Sequence, residues 1–92
     1  MVKAVVLWER APESDWYASH AELCKKVPGV TFRAGRIFGT PEGEPDYAQY
    51  AEFEFPDMET FRRGMGSEEM KTAVEDAQTQ RIPFRVYFVD VA

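Results

Sequence analysis

The spacing of apolar residues changes period along this chain, and each change marks an element. Val2-Lys3-Ala4-Val5-Val6-Leu7-Trp8 is β-branched and apolar and runs up to the turn signal Ala11-Pro12. It predicts a strand over about 2–9, buried on both faces. Trp16, His20, Leu23 and Val27 then fall at i, i+4, i+7 and i+11. That spacing is one face of a helix, capped by Ser14 or Asp15 and stopped by Pro28-Gly29. Val30 to Phe38 reads as a second strand, and Gly35 within it suggests a bulge or a close backbone approach. The loop Gly39-Thr40-Pro41-Glu42-Gly43-Glu44-Pro45 leads to a third strand, Tyr47 to Phe55. Ala51, Phe53 and Phe55 alternate there with Tyr50, Glu52 and Glu54.

The remaining helical stretch is in two pieces. Asp57 caps a short helix through Met58, Phe61 and Arg62, which Gly64-Met65-Gly66 breaks. Ser67 caps the next, whose stripe is Met70, Ala73, Val74 and Ala77. Phe84 to Val91 closes the chain as a strand with apolar residues on both faces. The order β-α-β-β-α-β is the split βαβ pattern of a ferredoxin-like α+β domain, a four-stranded antiparallel sheet with helices on one face. Residues 1–92 make a single domain with no linker, repeat or low-complexity tract.

Composition sharpens this picture. A chain of 92 residues with 7 Phe, 4 Tyr and 2 Trp has more large apolar side chains than so small a core needs. The first and last strands are apolar on the face the helices leave open, and such a patch calls for a partner. We therefore expect a homodimer, joined sheet to sheet into an α+β barrel. The formal charge of −5 argues against nucleic acid and acidic membrane surfaces as partners. Val2–Trp8 is too short for a secretory core and no stretch reaches a membrane span, so a cytoplasmic protein is expected. Cys24 is the sole cysteine, which excludes an internal disulfide and a cysteine-based zinc site.

His20 is the sharpest chemical candidate. It is the only histidine and lies on the apolar stripe of the first helix, where a half-buried imidazole can move a proton near neutral pH. The plain alternative is a histidine hydrogen-bonded in the core. Trp16 and Tyr17 flank it as a pocket wall or as ordinary core packing. Cys24, four residues on, can touch His20, although a structural thiol is the simpler reading. Tyr50, Glu52 and Glu54 form a polar strip that either closes a cavity or faces solvent or a dimer partner. Gly64-Met65-Gly66-Ser67 precedes a helix but lacks the phosphate-loop pattern. One histidine makes a classical histidine-rich metal site improbable, and no residue pattern implies a cofactor.

Asp15-Trp16-Tyr17, His20-Ala21-Glu22-Leu23 and Val27-Pro28-Gly29-Val30 together resemble the EthD family. It has an aromatic pair, an H-x-P-L element on the first helix and a following hydrophobic-P-G step. Ala51-Glu52-Phe53-Glu54-Phe55 before Asp57, Gly66-Ser67-Glu68 and Asp76 extend the match over nearly the whole chain, with Glu22 standing where the family has proline. The resemblance implies a homodimeric α+β barrel with a small cavity between the first helix and the sheet. It carries the family's histidine onto His20 and the aromatic pair onto Trp16 and Tyr17. Related barrels include cofactor-free isomerases and cyclases, and monooxygenases of which some use haem. The expectation is a small apolar or ring-bearing molecule, with His20 moving a proton, Trp16 and Tyr17 shaping the wall, and Tyr50 orienting a carbonyl or hydroxyl. The alternatives are a ligand-binding dimer without catalysis, a structural dimer whose pocket its own side chains fill, and a haem protein with His20 as axial ligand.

Overall fold

The apolar run at the start of the chain becomes an inner strand, though it is fully buried only at Val2, Ala4 and Trp8. Lys3, Val5 and Leu7, on the face without helices, are half-buried where burial on both faces is expected. The computed structural model describes all 92 residues. Strand β1 (Val2–Trp8) pairs antiparallel with both β3 (Gln49–Phe55) and β4 (Phe84–Asp90). Strand β2 (Thr31–Arg36) adds to the outer edge of β3, giving the order β2-β3-β1-β4. Helices α1 (Ser14–Cys24), α2 (Met58–Met65) and α3 (Glu68–Gln78) complete a βαββααβ chain. This is the ferredoxin-like fold the hydrophobic pattern predicts, with the second helical segment present as two helices.

Strand alternation sorts residues between two faces. Val2, Ala4 and Trp8 of β1 and Ala51, Phe53 and Phe55 of β3 are buried, with Cys24, Val27, Phe61, Met70 and Ala73 from the helical side. Lys3, Val5 and Leu7 point the other way, in register with Glu54, Glu52 and Tyr50. One row of residues crosses all four strands at the end of the sheet. Trp8 is opposite both Phe84 and Gln49, and Gln49 is opposite Arg36.

Local chemistry sets the helix ends. Glu13, rather than Ser14 or Asp15, caps α1 by accepting the Asp15 N–H. The helix stops at Cys24, before Pro28-Gly29, and the chain turns through Lys26 N–H to Leu23 C=O and Val27 N–H to Cys24 C=O contacts. Asp57 and Ser67 cap α2 and α3 as expected. Gly29 is required twice over. Its φ is +75°, and a Cβ there would overlap the Thr60 side chain. Gly35 marks no bulge: β2 stays in continuous register with β3, and a Cβ there would meet open space.

Candidate functional site

Helix α1 lays His20 over the sheet, and α3 supplies what orients it. The imidazole Nδ1 lies 3.0 Å from Asp76 Oδ2. A carboxylate only accepts here, so Nδ1 carries the proton and Nε2 of the neutral ring keeps its lone pair. Nε2 faces Cys24 Sγ at 3.4 Å, one helical turn on. Burial, with the Asp76 charge adding to it, pushes the Cys24 thiol up to about 12. It is therefore an S–H donor toward Nε2, and the nucleophilic thiolate does not form near neutral pH.

Aromatic rings fix the imidazole from the other sides. Trp16 stacks on it with ring centres 4.8 Å apart and planes within 13°. Trp8, 1% exposed, meets His20, Trp16 and Tyr17 edge-on and packs against Phe84. The Tyr17 hydroxyl is buried without a hydrogen-bond partner. Burial pushes its pKa up to about 12, and neighbouring Gln49 only moderates the rise.

His20, Cys24, Tyr17 and Trp8 line a cavity of about 70 Å³, closed by Phe53, Met70 and other apolar side chains. Val74 on α3 and Val86 on β4 line it too and are 40% and 44% exposed, so the cavity reaches the surface between those elements. A space this size holds a few waters or a small group, and a ring fits only if the walls give.

The structure brings His20 and Tyr17 together at this cavity. Trp16 is next to them but covers the imidazole instead of lining the cavity. Tyr50 does not join them. It lies on the opposite face of the sheet, because it is one residue out of phase with Gln49 and Ala51. There its hydroxyl donates to Glu52 at 2.6 Å, a bond that raises Tyr50 to about 12 and lowers Glu52. Arg33 and Lys3 pair with Glu52 and Glu54 on that face, so the polar strip is an ion-pair network. Two residues of the site have no chemical role assigned from sequence. Trp8 reads as one more apolar strand position. Asp76, a carboxylate in the last turn of α3, runs against the helix dipole and sits three residues after buried Ala73, which is a readable signal.

No group of three His, Cys, Asp or Glu side chains is placed to hold a metal ion. Haem does not fit this site. Both nitrogens of His20 face protein partners, and a porphyrin far exceeds a cavity of about 70 Å³.

Fold and site define a class: a ferredoxin-like α+β domain with an Asp–His pair set over an apolar cavity. The EthD domain matches residues 9–79, and the chain belongs to that family. An ethyl tert-butyl ether D (EthD) family protein from Bacillus halodurans C-125 superposes with a TM-score of 0.85 at 25% identity, covering 100% of this chain and 99% of the other. A dimeric ferredoxin-like protein of unknown function from Jannaschia sp. CCS1 gives 0.76 at 16% identity, covering 98% of each. SnoaB, a cofactor-independent oxygenase from Streptomyces nogalater, gives 0.64 at 16% identity, covering 98% of this chain and 91% of its own. At 16% identity the last two show the fold alone. None of the curated proteins matches the chain. No helix is long and apolar enough to cross a membrane.

Proposed function

We propose that this chain is a homodimeric enzyme that moves a proton on a small apolar or ring-bearing molecule, without a cofactor, using His20 as acid and base. The observation that carries the proposal is the Asp76–His20 pair, 3.0 Å long, at the wall of an apolar cavity. Asp76 accepts from Nδ1 and so presents Nε2 as the basic atom. A C–H or O–H of the bound molecule gives its proton to Nε2, and the Asp76 carboxylate balances the imidazolium. The same nitrogen returns the proton to another atom, which makes the step an isomerisation or a ring closure. Cys24 must turn its S–H away as the molecule binds. Tyr17 walls the cavity, and Trp16 holds the imidazole plane.

The test uses a panel of cyclic ketones, lactones and phenols in D2O. Wild-type protein is expected to place deuterium at one carbon of a bound compound. His20→Ala should slow that exchange by about 10²–10⁴-fold while leaving the fold intact. Equal exchange in the variant removes His20 from the chemistry.

Likeness in fold to a cofactor-independent oxygenase supports a second reading, in which the carbanion or phenolate left by proton transfer is oxidised by dioxygen. Oxygen uptake matching substrate loss separates the two.

A further inference from the structure

A second concavity adjoins the first at the N-terminal end of α1. It is a more open cleft of about 500 Å³, lined by Ser14, Tyr17, Arg36, Gln49 and the Ala11-Pro12 turn. Tyr17 is the one residue common to its wall and to the apolar cavity. The cleft stands at the end of the cross-sheet row Phe84, Trp8, Gln49, Arg36, so the row passes from apolar to cationic in four residues.

The polar groups here make few contacts with the rest of the protein. Gln49 is 7% exposed, and its carboxamide neighbours the Tyr17 hydroxyl with no other side-chain partner. The Tyr17 hydroxyl is buried and unpartnered. Arg36 takes part in none of the ion pairs, whereas Arg33, three residues before it on the other face, binds Glu52 and Glu54. An unpaired guanidinium beside the neighbouring Gln49 carboxamide and Tyr17 hydroxyl gives the cleft donors suited to an acceptor-rich, anionic group. Arg36 offers a planar fork that matches a carboxylate.

We propose that cavity and cleft are two halves of one site, and that its ligand is a ring-bearing carboxylic acid. The ring enters the apolar cavity beside His20 as Tyr17 swings aside, and the carboxylate lies in the cleft on Arg36 and Gln49. This rests on the cavity being the substrate site, and it adds what the cavity cannot supply: a charge that sets which end of the molecule meets His20.

The probes are phenylacetate and its neutral methyl ester, titrated into isotope-labelled protein and followed by NMR at the Arg36 side chain and the His20 ring. Phenylacetate is expected to shift both groups with one Kd, and the ester to bind at least tenfold more weakly. Arg36→Gln, at an exposed position, should erase that preference, and added salt should weaken the acid alone. Tyr17→Phe, which removes only the hydroxyl, should weaken the acid by a few-fold. Shifts at His20 alone, with acid and ester equal, would overturn the cleft and leave the cavity reading standing. Shifts at Arg36 alone would show an anion site that is not joined to the cavity and overturn the two-part site. If phenylacetate moves neither group the proposal fails, while the deuterium exchange of His20 is still judged by its own assay.

Discussion

Cys24 illustrates how far position decides chemistry. Its thiol is one helical turn from the only histidine, the pairing that generates a nucleophile in other settings. Here burial dominates and holds the sulfur protonated, so the pair supplies no thiolate nucleophile near neutral pH. The sign of the pH effect is set by that raised pKa. A thiol raised from about 9 to about 12 stabilises the fold in full below about pH 9, and that contribution is lost as pH climbs toward 12. Two outcomes are expected. A thiol-specific reagent at pH 8 should label folded protein far more slowly than urea-unfolded protein, and the melting temperature should fall between about pH 9 and 12 by more in wild type than in Cys24→Ala. Rapid labelling of the folded chain would contradict the burial argument. The sequence reveals His20 as a candidate because it is the sole histidine and lies on an apolar stripe. It does not reveal the partner, since Asp76 is 56 residues away and nothing local ties the two. Tyr50 fails as a neighbour for a different reason: alternation assigns it to a face, but only the pairing shows that the helices cover the other one.

At the scale of elements, periodicity is nearly sufficient. All four strands and all three helices lie where period-2 and period-3.6 patterns place them, because each has a long enough run to fix its face. The differences are at ends. Proline at 28 reads as the stop of α1, yet the helix gives way earlier into tighter turns while Val27 remains buried. Glycine misleads at Gly35, which an alternating strand accommodates without a bulge. Gly64 carries the opposite lesson. It lies inside α2, where propensity disfavours it, because a Cβ there would overlap the Phe55 ring, and Phe55 is fully buried. Close packing of α2 on β3, invisible in the sequence, overrides propensity.

For the whole molecule, the unfinished feature is apolar surface. On the face away from the helices Tyr87 and Val89 are 51% and 39% exposed, alongside Val5 and Leu7 of β1. Phe88 is exposed as well on the other side of β4. Two structural neighbours, from Jannaschia sp. CCS1 and Thermobifida fusca YX, are described as dimeric. The proposed homodimer would seat a second copy of this chain on that face, since a self-complementary face needs apolar area in the middle and paired charge beside it. The Lys3, Arg33, Glu52 and Glu54 network supplies that charge already neutralised. Sedimentation equilibrium is expected to give twice the chain mass of 10.6 kDa, and Val89→Asp to shift the protein toward the single mass. A wild-type chain that sediments alone at micromolar concentration would contradict the dimer.

Because the chain has one histidine, its ring nitrogens can be read without ambiguity, and they test the central arrangement directly. In a long-range 1H–15N correlation spectrum at pH 7.5, the proton is expected on Nδ1, facing Asp76, with Nε2 bare. Asp76→Asn should turn that single tautomer into a mixture. A proton found on Nε2, or a spectrum indifferent to Asp76→Asn, would contradict the oriented base on which the proton-transfer account stands.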